Sequence, residues 1–195
     1  MSKIFIVMGK SATGKDTIFK RLVQNDRVKL KTIIPYTTRP VRTGESNGVE
    51  YFFVSEEEMR NMDRAGKIIE VRKYQTVLGD WYYFTADDGQ IQVGSNAYLM
   101  ITTLEAYEKI RDFYGKEQVV PVYIEVEDGE RLTRALAREK QDKNPKFDEL
   151  CRRYLADQKD FAEENLLRLG ITRRYQNQDI EQCVDEILSD IEKML

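Results

Sequence analysis

A glycine-containing loop between an apolar segment and a helical segment is the feature that most restricts how this chain can fold. Residues 3–8 (KIFIVM) form an almost continuously apolar run, which is typical of a strand buried on both faces of a parallel sheet. Residues 15–24 carry apolar side chains at helical spacing. The order of strand, glycine loop and helix predicts a P-loop, and with it an α/β fold built on a parallel sheet.

The loop itself has the composition of a phosphate-binding site. Its glycines allow successive backbone N–H groups to point inward, and the N-terminus of the following helix adds partial positive charge. Lys15 stands where a P-loop lysine reaches the β- and γ-phosphates of a nucleotide, whereas a simple glycine turn with an exposed lysine would not need both flanking elements. We therefore expect ATP to be bound by Gly9, Lys10, Ser11, Ala12, Thr13, Gly14, Lys15, Asp16 and Thr17.

The residue after the loop lysine departs from the usual P-loop pattern. Ser or Thr normally stands there and its hydroxyl binds Mg²⁺, whereas this sequence has Asp16 followed by Thr17. A carboxylate is a hard oxygen ligand, so Asp16 is a candidate ligand for the Mg²⁺ that accompanies ATP. The helix dipole equally explains an acidic residue in the first turn, and the sequence leaves both interpretations open.

Composition argues against several other classes of protein. The 195 residues suit a single domain, and no apolar run reaches the roughly 20 residues of a membrane span. Two cysteines without a CxxC pair, and no histidine, argue against a disulfide framework or a zinc site and favour the cytoplasm. A net charge of −3 gives no sign of nucleic-acid binding, and a chain without histidine has no imidazole base.

The predicted elements alternate between strands and helices, with two interruptions. Strands are predicted at 3–8, 29–34, 51–54, 67–74, 81–85, 97–102, 118–124 and 171–175, and helices at 15–24, after Ser55, at 104–114, within 127–169 and at 179–195. The stretch 35–48 is predicted as a loop, and 67–74 and 81–85 as strands joined through Leu78-Gly79-Asp80. This order predicts a P-loop NTPase-type parallel sheet flanked by helices, with a core of 1–34, 89–126 and 158–195. A β-containing insert is expected at 35–88 and a helical lid at 127–157.

A second motif lies in the first insert. It reads TTRPVRTGE from Thr37 and continues, two residues later, with GVEYFFV. Arg39 and Arg42, on a loop with a proline turn, can hold one phosphate from two sides, although a solvated charged loop would explain the two arginines alone. Together with the P-loop, the complete string resembles the guanylate kinase family, in which TTRxxRxGExxGxxYxF marks the subdomain that binds the nucleoside monophosphate. The resemblance covers essentially the whole chain and weakens after about residue 90.

On the phosphate side of the acceptor site, the resemblance implies a complete set of residues. The phosphate of GMP would be bound by Arg39, Arg42, Tyr51 and Tyr83. Glu45 would support the two arginines. The phosphate side of the family's acceptor pocket is therefore intact in this sequence.

On the base side, the resemblance is partial. Glu70 would accept hydrogen bonds from guanine N1–H and the guanine amino group, and Thr85 would replace a serine that contacts the base. Adenine lacks that donor pair and would leave a buried carboxylate unpaired. Pro35 stands where the family has another serine, and Leu99-Met100-Ile101-Thr102 replaces a strand that reads LDID, so that Thr102 substitutes for an aspartate near the base. Asp16 offers a replacement for the second lost acid, which lies near the metal in the family.

The resemblance also assigns the second insert and the last strand. In the family, lid arginines reach the transferring phosphoryl group, which makes Arg134, Arg138 and Arg153 candidate catalytic residues, with Arg152 beside them. Salt bridges on a solvated helix are the competing explanation for each of them. Asn177 resembles a family residue near the adenine of ATP.

The sequence therefore predicts the reaction ATP + GMP → ADP + GDP, assisted by Mg²⁺, with Lys15, Arg39, Arg42 and the lid arginines as the catalytic groups. Three alternatives remain open. One is a kinase of another phosphorylated acceptor, such as ribose 1,5-bisphosphate, whose kinases resemble this family and often carry the GKD of residues 14–16. Another is a catalytically silent guanylate kinase-like module that binds proteins, although such modules typically lose the loop lysine. The third is a regulatory P-loop ATPase.

Overall fold

Two β-sheets with helices around them make up the described residues, which are 3–76, 79–92, 94 and 96–195 of the computed structural model. The strands are β1 (Ile4–Met8), β2 (Leu30–Thr32), β3 (Tyr36–Thr37), β4 (Phe52–Phe53), β5 (Ile68–Thr76), β6 (Gly79–Ala86), β7 (Ala97–Ile101), β8 (Val119–Glu125) and β9 (Arg174–Gln176). The helices are α1 (Lys15–Val23), α2 (Glu56–Arg64), α3 (Leu104–Tyr114), α4 (Asp128–Lys140), α5 (Phe147–Asp160), α6 (Glu163–Arg168) and α7 (Ile180–Met194).

The larger sheet is parallel throughout and has the strand order β2-β7-β1-β8-β9. The central strand β1 is buried at all five positions, as its apolar run predicts. Alternate residues of β1 enter two separate cores, with Ile4 and Ile6 on one face of the sheet and Phe5 and Val7 on the other. The predicted fold class, a parallel sheet with helices, is thereby confirmed.

Helices cover both faces of this sheet because their apolar stripes face it. Leu22 of α1 and Ile187 of α7 pack in the core that contains Phe5. Tyr107 of α3 and Leu166 of α6 pack in the core that contains Ile4. Burial of side chains of this size stabilises the fold by about 1.5–3 kcal/mol each relative to exposure, before the entropy of ordering is counted.

The smaller sheet lies within the first predicted insert and has the order β4-β3-β6-β5. Strands β5 and β6 pair antiparallel as far as Thr76 and Gly79, as predicted, although Leu78 of the predicted connection lies outside the described residues. The prediction of a loop over 35–48 was wrong at β3, where Tyr36 pairs with Phe52 and with Phe84. A two-residue strand is too short to show any periodicity, so only its pairing partners define it.

Helix ends follow local signals closely. The capping box of Ser55 and Glu58 opens α2, and Thr103 caps α3 by accepting a hydrogen bond from the Ala106 amide. The helical region predicted over 127–169 consists of α4, α5 and α6. Among the described residues, none of the helices combines the length and the apolarity that crossing a bilayer requires.

Candidate active site

The phosphate loop joins the carboxyl end of β1 to α1, and its shape depends on close approaches from distant strands. A Cβ on Gly9 would lie 2.5 Å from the Ile124 carbonyl oxygen, and a Cβ on Gly14 would lie 2.4 Å from Nδ2 of Asn177. Gly14 has φ 82°, and Ala12 adopts a left-handed φ of 63°, which is uncommon for a residue with a side chain. The loop is therefore held in one strained and tightly packed conformation.

Asn177 lies behind the loop. Its side chain is buried, and Nδ2 donates a hydrogen bond of 2.8 Å to the Thr13 carbonyl oxygen. The backbone N–H of Asn177 donates to the carbonyl oxygen of Glu125 at the end of β8. These contacts make Asn177 a support of the loop, while contact with adenine stays a prediction.

Lys15 faces a cleft of about 560 Å³ that lies between the phosphate loop, the end of β7 and α5. Gly9, Thr102, Tyr74 of the smaller sheet and Arg153 line the same cleft. Lys15 Nζ lies 3.6 Å from the carboxylate of Asp16, whose side chain is 79% exposed. The described residues contain no cluster of three side chains able to hold a metal ion by themselves.

Two helices of the predicted lid contact the loop directly. The Asp157 carboxylate accepts a 2.7 Å hydrogen bond from the Ser11 amide, in the manner of an anion bound at a P-loop. Arg131, whose side chain is 1% exposed, donates to the Ser11 carbonyl oxygen at 3.0 Å and to Asp157 at 3.3 Å. Its guanidinium also lies over the Tyr154 ring. No pattern in the sequence separates Arg131 and Asp157 from the other charges of this region.

The predicted lid arginines divide between two places. Arg138 and Arg153 line a second cavity, of about 570 Å³, together with Ser11 of the loop and Arg42 of the first insert. Arg153 also donates to the Ser11 hydroxyl at 3.4 Å. Arg134 points elsewhere, since it pairs with Glu130 and donates to the Asn177 carbonyl oxygen. Arg152 pairs with Glu149 on its own helix.

The predicted acceptor-phosphate pocket contains a buried guanidinium with an unused donor. Arg39 is 3% exposed, and its two terminal nitrogens donate to the two oxygens of Glu45 at 2.7 and 2.6 Å. Its Nε is buried without a hydrogen-bond partner in the described part of the chain. Buried donors are nearly always paired in folded proteins, so this unpaired N–H is an exception within the described residues.

Glu45 and two tyrosines fix this guanidinium. The Glu45 carboxylate also accepts the Arg42 amide at 2.9 Å, and the pairing with Arg39 holds the pKa of Glu45 at about 2, below its ordinary 4.5. Arg39 lies 5.1 Å from the centre of the Tyr51 ring, which meets the Tyr83 ring edge-on at 5.6 Å. Burial raises the pKa of Tyr51, so its hydroxyl stays protonated and able to donate.

At the end of the acceptor pocket predicted to bind the base, the Glu70 carboxylate already accepts hydrogen bonds from neighbouring side chains. Its side chain is fully buried and accepts hydrogen bonds from the Thr85 hydroxyl at 2.8 Å and from Arg72, whose Nε lies 3.0 Å from Oε2. Arg72 Nη1 also reaches Thr103 Oγ1 at 3.3 Å, directly after Thr102 at the end of β7. Sequence analysis missed Arg72, although residues two apart on a strand share a face and Glu70 was already marked.

A parallel sheet whose central strand passes through a glycine loop into a helix defines a P-loop protein. A sequence model of the guanylate kinase family matches residues 1–193, and the chain belongs to that family. The resemblance noted from the two motifs is thus confirmed.

Individual relatives agree with this assignment. The guanylate kinase of Porphyromonas gingivalis is 27% identical over 197 residues, which cover 100% of this chain and 99% of the relative. Those of Malacoplasma penetrans and Neisseria gonorrhoeae are 29% and 37% identical over stretches that span 61% and 47% of their own lengths. A crystal structure of guanylate kinase from Anaplasma phagocytophilum has the same fold, with a TM-score of 0.65 at 22% identity over 98% of this chain and 85% of that one.

Proposed function

We propose that this chain transfers the γ-phosphoryl group of ATP to GMP, forming ADP and GDP. The observation that carries the proposal is a shared cavity, in which Arg42 of the first insert meets Ser11 of the phosphate loop and three lid arginines, Arg131, Arg138 and Arg153. A donor phosphate on the loop and an acceptor phosphate on the insert would meet there. Membership of the guanylate kinase family, whose relatives carry that name, gives the acceptor as GMP.

The residues supply position and charge, which are what phosphoryl transfer requires. Lys15 and the loop amides would hold the β- and γ-phosphates, and Arg39 and Arg42 would hold the acceptor phosphate and reduce its negative charge. Arg138 and Arg153 would stabilise the transferring phosphoryl group from the lid. We assign residues 35–88 to acceptor binding and 127–157 to a lid whose closure excludes water.

The proposed reaction and the cysteines indicate the partners and the cellular compartment of the enzyme. ATP and GMP are the partners that the site needs. Cys151 and Cys183 are both free thiols, which suits the reducing cytoplasm, and we assign the enzyme to that compartment.

The described donors fit a magnesium ion that arrives with the nucleotide. Nucleotide-bound Mg²⁺ usually takes one or two protein carboxylates together with phosphate oxygens and water. Asp16 is an exposed carboxylate in the first turn of α1, next to Lys15, and would be that ligand, directly or through water. When bound, the ion would neutralise charge that develops on the phosphates.

Asp16→Asn should raise the Mg²⁺ concentration that gives half-maximal activity, and Asp16→Ser should partly restore the wild-type value, because a hydroxyl is the usual ligand at this position. An Mg²⁺ titration of initial rates measures both. Asp26→Asn, which removes another exposed negative charge beyond the far end of α1, is the control. Titrations identical to wild type in both Asp16 variants would leave this residue as a helix-terminus acid.

A coupled assay of ADP release tests the whole proposal. It compares GMP, dGMP, AMP, UMP, CMP and ribose 1,5-bisphosphate as acceptors, with ATP alone as the blank. We expect GMP to give the highest kcat/KM and the blank to give almost no ADP. A higher kcat/KM for ribose 1,5-bisphosphate than for GMP would identify the sugar phosphate as the acceptor. ADP release in the blank equal to that with GMP would indicate an ATPase.

A further inference from the structure

The state of Glu70 in the structure does not fit the role that the resemblance gives it. A carboxylate that reads guanine through N1–H and the amino group must accept one hydrogen bond from each. Here Oε1 accepts from Thr85 Oγ1 at 2.8 Å and from Arg72 Nη2 at 3.2 Å, and Oε2 accepts from Arg72 Nε at 3.0 Å. An ionised carboxylate has about four lone-pair sites, so about one remains for a base that needs two.

Arg72 cannot easily give way. Its side chain is 10% exposed and that of Glu70 is 0% exposed, so the two form a buried, bidentate ion pair. Breaking such a pair strands a buried charge, which costs far more than two neutral hydrogen bonds return. The Arg72–Glu70 ion pair is therefore a fixed part of the pocket and stays intact when a base binds.

The Arg72 guanidinium of this ion pair has N–H groups that Glu70 does not use. A guanidinium carries five N–H groups, and Arg72 uses three of them, two on Glu70 and one on Thr103. One N–H on each terminal nitrogen has no hydrogen-bond partner among the described residues. Thr103 adjoins Thr102 and lines the cleft that contains Lys15, so the 3.3 Å contact with Thr103 places the Arg72 guanidinium next to a lining residue of that cleft.

We propose that Arg72, not Glu70, reads the base, by donating to O6 and N7 of guanine, and that Glu70 and Thr85 are positioning residues that hold the guanidinium in place. This proposal rests on the proposed function. A bidentate contact from arginine to guanine O6 and N7 is the commonest specific arginine–base contact known in nucleic-acid recognition. Adenine offers N7 as an acceptor but presents a donor at its 6-position, which would face the guanidinium.

The two ways of reading the base predict different substrates. A base read by Glu70 would have to carry the 2-amino group, so IMP would be a poor acceptor. A base read by Arg72 needs only the 6-oxo group and N7, which guanine and hypoxanthine share. We therefore expect IMP to be used about as well as GMP and AMP to lose roughly 5- to 150-fold in kcat/KM, the range of one bidentate base contact. We expect 7-deaza-GMP, which keeps O6 and loses only the bond to N7, to lose less than AMP.

Variants of Arg72 distinguish direct contact with the base from a purely structural role. Arg72→Ala should lower kcat/KM for GMP and IMP by the same factor and should make 7-deaza-GMP as good as GMP, because the group that contacts N7 is gone. Arg72→Lys keeps a cation for Glu70 but lacks the planar fork, and should lose discrimination between GMP and AMP while its thermal unfolding stays close to wild type. Lys73→Ala is the control, since Lys73 is the next residue on β5 and pairs with Asp80 at the surface.

The decisive measurement is calorimetric binding of GMP, IMP and 7-deaza-GMP to wild type and to both Arg72 variants, beside the kinetics. Equal affinities for GMP and IMP, lowered together in Arg72→Ala, would support the proposal even if no phosphoryl transfer occurred, an outcome that would count against the proposed function alone. A wild-type preference for GMP over IMP of more than about tenfold, with 7-deaza-GMP bound as well as GMP, would overturn it and return the base to Glu70.

Discussion

Lys15→Ala should lower kcat for phosphoryl transfer by on the order of 10³-fold or more while leaving the fold intact. The side chain faces the cleft rather than the core, and its recorded ion pair is with the exposed Asp16. Its removal should therefore cost a cation at the transferring group and almost nothing in packing. Steady-state kinetics at saturating ATP and GMP measure the loss, and circular dichroism with thermal unfolding checks the fold.

Lys20→Ala is the matched control for this experiment, because it removes a lysine from the exposed side of the same helix. Near-normal turnover in a folded Lys15→Ala protein would remove the phosphate loop from the mechanism. It would also revive the interpretation of 9–17 as a structural turn.

Arg39→Ala should lower kcat/KM for the acceptor on the order of 10²-fold, mainly through a higher KM for GMP, with little change in the KM for ATP. Arg39 is the guanidinium, held by both oxygens of Glu45, that would neutralise the acceptor phosphate. Arg42→Ala should act in the same direction, because Arg42 lines the cavity where the two phosphates would meet. Initial rates over a grid of both substrates separate the two KM values.

Two further measurements make the Arg39 result specific. Arg39 holds the pKa of Glu45 at about 2, below the ordinary 4.5, so this pair stays ionised, and the loss should be constant above about pH 7, where the acceptor phosphate, whose second pKa is about 6, is also fully ionised. The stabilisation from Glu45 is present above pH 4.5 and fades as the pH falls towards 2. Arg60→Ala, on the exposed face of α2, is the control. A collapse of ATP affinity with unchanged GMP affinity would place the Arg39 loop in the donor site.

Local patterns accounted for most of the fold. Helix α3 was predicted residue for residue, with Gly115 after its end, and the structure adds Thr103 as the cap at its start. The parallel sheet followed from the uninterrupted apolar run of β1. Strand β3 was missed because two residues carry no periodic signal, and β9 lies slightly later than predicted.

The candidate site was predictable only where a motif carries the chemistry. The loop and the two arginines of the insert stand in short, contiguous strings. Arg131 and Asp157 act through contacts with Ser11 across 120 and 146 residues of sequence, and nothing in their local context distinguishes them from ordinary helix charges. Arg72 was only partly predictable, since the strand pattern places it on the same face as Glu70 but only the structure shows the ion pair.

The supports of the phosphate loop have a consequence for the order of events during synthesis. The loop is made long before its supports, since Gly9 packs against the carbonyl of Ile124, and Thr13 is held by Asn177, 164 residues further along the chain. Because domains generally fold as units and contacts this distant in sequence close late, a nascent chain should not bind ATP until β9 has left the ribosome. Nucleotide binding would thus report that the sheet is complete.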